Sequence, residues 1–250
     1  MSYTPVDIDI HKPARKETNS FEKNYTRLRE KEGRLYPAEI IVNLPLIPGD
    51  HQHAAEWKLR QDSCRRMVKY LEEKNIHLNI LEVGCGNGWL SHKVAAILNS
   101  RVTGVDINST ELAQAKLLFR QENLRFIHGD IYDPAISGQF NIIIFAASLQ
   151  YFDGVKQLIN DAMKLLTAGG EIHIMDTHFY EPGKVSIAKQ RTEKYYQEKG
   201  MAGMEAYYFH HTLTELAGFH YQVLYKPSRF WKFFFPQNPF PWIRIKKKQL

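Results

Sequence analysis

Three glycines within five residues, Gly84, Gly86 and Gly88, set the strongest constraint on what this chain can become. They follow a short apolar run, Ile80-Leu81, and an acid, Glu82, in the string ILEVGCGNGWL. After Gly88 the apolar positions Trp89, Leu90, Val94, Ala95, Ile97 and Leu98 recur at spacings of three and four, the period of a helix with one buried face. A buried strand therefore ends in a glycine turn that opens a helix. In α/β proteins ligands sit outside the carboxyl ends of parallel strands, where such a turn lies. Glycine reaches backbone conformations that a side chain forbids and lets a ligand approach the main chain closely. The dinucleotide fingerprint is not met, because Trp89 stands where its third glycine belongs. No lysine follows to complete a phosphate-binding loop. A tight strand–helix turn without a ligand is the competing reading.

The strand–helix alternation continues. Residues 101–107 form a second strand that ends in Asp106, an acid about 20 residues after the glycine turn, where such folds meet a ribose diol. A carboxylate accepts two hydrogen bonds from a diol. The competing role, helix N-cap, suits Asn108 and Ser109 better, since they directly precede the helical ELAQAKLLFRQ. A third strand spans 124–128, followed by Gly129, Asp130 and Ile131. The fourth, 140–145, is FNIIIF, as apolar as a strand covered on both faces must be. It ends in the small residues Ala146, Ala147 and Ser148. A helix then begins at residue 155 and closes at Gly169-Gly170, which suit a left-handed C-cap. Strand five, 171–175, runs into Asp176, Thr177, His178, Phe179 and Tyr180. Residues 212–219 read as a short capped helix and 220–226 as a sixth strand, and 238–250 supply a seventh. Before the glycine turn, Phe21, Tyr25 and Leu28 show helical spacing. Pro37, Pro45, Pro48 and Gly49 mark 37–57 as extended or loop. Residues 54–73 suit an amphipathic helix lying on the sheet.

With Glu82 two residues before the first glycine, the turn reads E-x-G-x-G-x-G. It resembles the first motif of the class I S-adenosylmethionine-dependent methyltransferases. The resemblance implies an α/β fold with a doubly wound, mostly parallel seven-stranded sheet, its seventh strand antiparallel beside the fifth. Residues 1–79 become an N-terminal helical extension and 80–250 the core, with 181–211 a lid inserted after strand five. S-adenosylmethionine is the implied cofactor. Its implied contacts are Glu82, Gly84, Cys85, Gly86 and Gly88 of the turn, Asp106 and Ile107 at the ribose, Asp130 and Ile131 at the adenine, and Ala146 after strand four. Tyr25, Tyr36, Trp57 and Arg60 are unranked candidates for its carboxylate. The implied acceptor pocket holds Gln150, Tyr151, His210 and His211. His178 is the candidate general base, because an unperturbed histidine titrates near neutrality. For each histidine a plain pocket or surface role competes. The aromatics of 181–211 fit a small or planar acceptor, or a helix pair that packs its own rings.

The Asn/Asp-Pro-Pro-Tyr signature of nucleic-acid amino methylation is absent after strand four, where Ala146-Ala147-Ser148-Leu149 stands. The expected acceptor is therefore a small-molecule oxygen or nitrogen. The alternatives are RNA or protein methylation anchored by the basic tail, and a cofactor-binding module without catalysis. The charge distribution agrees. Of the net +6, residues 226–250 supply seven cations and no acid, so the rest of the chain is net −1. A basic face on the body, the footprint of nucleic-acid binding, is missing. The aromatic basic run 230–248 could rest on an anionic membrane, but its prolines oppose a long amphipathic helix, and a strand plus tail is simpler. Two cysteines, Cys64 and Cys85, give neither a disulfide framework nor metal-ligand spacing, and His51 and His53 lack a third ligand nearby, so no metal is expected. No run of about 18 apolar residues occurs and the first residues lack a signal-type apolar core. The expected location is the cytoplasm.

Overall fold

Strand β1, Leu78–Val83, is the axis of the sheet. Leu78, Ile80, Leu81 and Val83 are all buried, as a central strand covered on both faces requires. The computed structural model describes residues 15–136, 138–227 and 238–248, with side chains from residue 20 onward. Around β1 stand β2 (Ser100–Asp106), β3 (Leu124–His128), β4 (Phe140–Ala146), β5 (Leu166–Met175), β6 (Tyr221–Tyr225) and β7 (Trp242–Lys246), in the order β3-β2-β1-β4-β5-β7-β6. The first five are parallel, and β7 runs antiparallel between β5 and β6. This is the doubly wound seven-stranded sheet expected from the sequence, including the antiparallel seventh strand. The helices are α1 (Arg15–Lys31), α2 (Ala38–Ile41), α3 (Ala54–Glu72), α4 (Trp89–Ala95), α5 (Ser109–Leu118), α6 (Val155–Lys164) and α7 (Val185–Glu198).

Successive strand residues point to opposite faces, and β4 shows the consequence. Ile142 and Ile144 join a core with Trp57, Met67, Leu71 and Trp89 of α3 and α4. Ile143 and Phe145 join another with Leu158 and Ile159 of α6. The strand order reverses between β1 and β4, so the chain leaves these two strands in opposite directions. That divergence opens a crevice at their carboxyl ends.

Four local expectations are corrected. The helix after Gly88 stops at Ala95 rather than reaching Leu98; Asn99 turns the chain at φ 60, and Leu98 is 84% exposed. Gly169-Gly170 do not cap a helix. Helix α6 ends at Lys164, since Leu166 is fully buried and must enter the sheet there. Pairing passes from Phe140↔Leu166 to Ile142↔Glu171, so the glycines lie in a bulge of β5. Residues 37–57 are not simply extended: the Pro37 carbonyl accepts the Ile40 and Ile41 amides to start α2, which sends Ile41 and Leu44 into the core. Finally, 212–219 form a 3-10 turn, Leu213–Leu216, though Thr212 and Glu215 make the capping box its sequence suggests.

The basic residues of β7 are spent inside the fold. Glu171 on β5 meets Lys74 at 2.7 Å, Lys246 at 3.4 Å and Arg244 at 3.6 Å, and accepts from the Tyr70 hydroxyl at 2.8 Å. Burial alone would raise its carboxyl, but His173, Lys74 and Tyr70 together hold it well below the usual carboxylate range. Lys247 donates to the Leu166 carbonyl. Residues 228–237, which include the first eight residues of the aromatic basic run 230–248, lie outside the described residues. No helix among the described residues is long and apolar enough to cross a membrane. Replacing Glu171 with alanine strands three cations around the buried His173. The expected cost is about 3 kcal/mol, measured as a lower urea midpoint with an unchanged slope.

Candidate functional site

The glycine turn is fastened to the end of β2. The Gly84 and Cys85 amides both donate to the Val105 carbonyl, at 2.8 and 3.1 Å. Gly84 has φ +76, and a Cβ there would lie 2.5 Å from that of Ser148. Ser148 in turn donates to the Val83 carbonyl at 2.6 Å. The loops after β1 and β4 are therefore pressed together, and only glycine permits it. Gly88 begins α4 at φ +77, where a Cβ would meet Phe126 at 2.6 Å. Gly86 differs: the nearest atom to a Cβ there is a Glu111 carboxylate oxygen at 3.6 Å, so the protein leaves this backbone uncrowded.

Asp106 links the turn to the next helix. Its Oδ2 accepts from the Gly86 amide and its Oδ1 from the Asn108 amide, each at 2.7 Å. Burial raises this carboxyl to about 6, with Glu111 adding to it and the two amides opposing. Asn108 is the N-cap of α5, accepting from Thr110 and Glu111. Glu82 faces away from the crevice. It is 2% exposed and accepts from Ser91 Oγ on α4 at 2.5 Å, and burial pushes it up to about 8. Glu82 thus supports the start of α4. Cys85 is a buried free thiol raised well above its ordinary value, chiefly by burial. Ile107 uses its carbonyl to accept from His128. Asp130 accepts the Tyr132 amide at 2.8 Å, an Asx turn. Ile131 is buried in the core beside Val83 and Val105. Ala146 ends β4, and Ala147 after it has φ 53.

Helix α1 lies over this edge. Glu22 accepts from the Ser109 amide at 2.9 Å, and Arg29 faces Glu111 at 3.6 Å. At its other end Lys31 donates to the Lys199 carbonyl at 2.7 Å, and the Tyr195 hydroxyl of α7 donates to Glu32. Beneath it the rings of Phe21, Tyr25, Tyr151 and Tyr207 pack at 5.1–5.9 Å.

Between α1, α7 and the ends of β4 and β5 lies a cavity of 570 Å³. Gln150, Tyr151 and His178 line it, as does Arg60. His178 is itself exposed and sits edge-on to the Tyr180 ring at 4.3 Å. Arg60 and Arg34 share Glu56, which they hold at about 2 against the upward push of burial. His210 and His211 are elsewhere, on a second cavity of 440 Å³. His211 bonds to the Leu149 carbonyl at 3.1 Å and to Glu215 at 3.2 Å, and His210 bonds to Thr192 at 2.9 Å. Tyr36 and Trp57 serve the core: the indole donates to the phenol oxygen at 2.9 Å and packs on Trp89 at 5.3 Å.

Two residues at the cavity were not singled out from the sequence. Arg29 has a buried Nε without a hydrogen-bond partner among the described residues. No motif surrounds it; its only signal is one helical turn of separation from Tyr25. Asp176 follows β5 much as Asp106 ends β2, and that parallel was legible. It is 9% exposed, with φ 53.

Residues 80–170, from β1 into β5, match the family model described as a methyltransferase domain. Over this stretch the chain resembles the class I S-adenosylmethionine-dependent methyltransferases. A malonyl-[acyl-carrier protein] O-methyltransferase from Priestia megaterium is 30% identical over 99 residues, 39% of this chain and 36% of that protein. A ubiquinone biosynthesis O-methyltransferase from Psychrobacter arcticus is 32% identical over 143 residues, 55% of this chain and 49% of that protein. The chain thus spans half or less of the length of these two relatives. Among solved structures, the magnesium protoporphyrin IX methyltransferase from Synechocystis PCC 6803, with bound SAH, superposes at TM-score 0.61 with 14% identity. That match covers 93% of this chain and 98% of that one, a likeness of fold.

Within the methyltransferase domain, Glu82 makes stability depend on pH. An unfolded glutamate releases its proton near 4.5, whereas the folded chain holds it to about 8. The folded state binds more protons between those values, so stability falls as pH rises through that window. Glu82→Gln keeps an acceptor for Ser91 and removes the titration. The variant is expected to lose less melting temperature than the parent between about pH 6 and pH 9, followed by circular dichroism.

Proposed function

We propose that this chain transfers a methyl group from S-adenosylmethionine to an oxygen or nitrogen of a small molecule held in the 570 Å³ cavity. The observation that carries the reading is the unit made by the Gly86 amide and the Asp106 carboxylate, which lies under the same helix, α1, that walls the cavity.

The residues present suit the cofactor. Gly86 is uncrowded, so a ligand is free to lie against its backbone. Asp106 keeps lone pairs beyond the two it gives to amides and is suited to the ribose diol. Arg29, with its unpartnered buried Nε, is suited to the amino-acid carboxylate. Asp130 stands at the end of β3 for the adenine amino group. When bound, S-adenosylmethionine supplies an activated methyl group on a sulfonium whose leaving form is neutral. The chain's own tasks are then to place the acceptor atom and to exclude water. Helices α1 and α7 close the cavity from outside, which supports a covering role for residues 181–211. His178, at the mouth of β5, lines the cavity as a candidate base.

The O-methyltransferase names of the relatives support an oxygen acceptor. Anchoring of RNA or protein by the basic tail has less support, because Arg244, Lys246 and Lys247 already have partners in the sheet. Titration calorimetry with S-adenosylhomocysteine tests the reading. The chain is expected to bind it, and Arg29→Ala is expected to weaken binding by about tenfold to a hundredfold, the worth of a charged hydrogen bond. No heat with the parent chain would overturn the proposal.

A further inference from the structure

The cavity wall includes one carboxyl group that the reading above leaves without a task. Asp176 follows directly on β5, lines the cavity, and is 9% exposed. Its two oxygens are treated unequally. Oδ1 accepts from Ser63 Oγ of α3 at 2.6 Å and from Asn238 Nδ2 at 3.3 Å. Among the described residues no hydrogen bond is recorded to Oδ2. Asn238 also donates to Ser63 Oγ at 2.6 Å, so a closed polar triangle fixes the orientation of the carboxyl group. The backbone is held at φ 53, a left-handed conformation that aspartate adopts at a cost. Ala147, across the mouth at the end of β4, has φ 53 as well. The two strand ends that frame the cavity thus both carry conformations a relaxed loop would avoid.

The walls say what fills the space. Tyr151, Tyr180, Tyr195, Tyr196, Tyr208 and Phe240 surround it, and rings of this kind hold a flat arene by offset or edge-on contact. An arene with a hydroxyl group also needs somewhere to send its proton. Resting on the methyltransferase reading, we propose that the acceptor is a hydroxylated arene and that Asp176 Oδ2 takes its hydroxyl proton. As the acceptor oxygen bonds to the methyl carbon, the methyl–sulfur bond breaks with its electron pair left on sulfur. Sulfur becomes a neutral thioether, and the proton passes to Asp176 and then to water. The groups facing Asp176 set its proton affinity. Burial raises it, and Arg60, Ser63, Asn238 and Arg66 oppose that rise. A carboxylate above its ordinary range is a stronger base for a phenol. His178, by contrast, is exposed at the rim.

Catechol is the probe, used with the full chain loaded with S-adenosylhomocysteine and labelled with ¹³C at the aspartate carboxyl groups. The Asp176 resonance, assigned by its loss in Asp176→Asn, is expected to move when catechol is added. With radiolabelled donor, single-turnover methyl transfer to catechol is expected to fall about 10²-fold or more in Asp176→Asn, with KM for catechol held within about threefold and the acid limb of the pH profile lost. His178→Gln is expected to leave the acid limb in place. Should Asp176→Asn fail to fold, Ser63→Ala takes its place: losing a donor to Oδ1 moves the acid limb to higher pH. An Asp176 resonance blind to saturating catechol, a rate in Asp176→Asn close to the parent's, or an acid limb that follows His178 would overturn the assignment. So would a donor-loaded chain that binds no catechol. A chain that binds no S-adenosylhomocysteine at all would sink the methyltransferase reading instead.

Discussion

The carboxylate of Asp106 holds the functional edge of this protein together. It ends one parallel strand and takes the backbone amide of Gly86 from the loop after another, while its second oxygen takes the amide of Asn108, the cap of α5. Three elements meet on one side chain. Backbone amides donating to a buried carboxylate replace water that the group loses on folding. Their opposing effect is visible in the modest height of its proton affinity, about 6 despite burial. Take this carboxylate away and the Gly86 amide, the α5 cap and the space before them lose their common reference.

The helix laid across that edge extends the same logic outward. Helix α1 is bonded at one end to the start of α5 and at the other to α7, so it ties the region over the glycine turn to the wall of the cavity. Its inner face is aromatic where it meets Tyr151, and cationic at Arg29 where it meets Glu111. Such a strap walls part of the cavity, and partial exclusion of water strengthens each charge placed there. The matched domain supplies Ala147, Gln150 and Tyr151 to the enclosure. The remainder, Arg29, Arg60, Asp176 and the rings of α7, comes from segments outside the matched domain.

How far the sequence could be read follows from how local each signal is. The glycine turn, Asp106 and the apolar β4 are short-range signals, and the sheet they imply is the sheet observed. Glu82 sits in the motif yet turns its side chain to Ser91, because the residue before the turn still belongs to a strand with one face on α4. Helical spacing does not show that α4 stops at Ala95, short of Leu98, and a glycine pair does not report where a buried Leu166 must rejoin a sheet. His210 and His211 end the segment 181–211, but bonds to Thr192 and the Leu149 carbonyl hold them at the second cavity. Asp176 matters through a contact more than a hundred residues away along the chain, and Arg29 through a buried N–H without a hydrogen-bond partner among the described residues. The place of Asp176 after β5 was legible, but no window of sequence displays its contact with Ser63 or the state of the Arg29 Nε.

A crystal structure of the chain with S-adenosylhomocysteine bound tests the account most directly. The account places the ribose hydroxyls on Asp106, the adenine beside Asp130, and the sulfur facing the cavity between Ala147 and α1. A ligand seated in the second cavity near His210, or an Asp106 carboxylate still bonded only to its two amides, would contradict it.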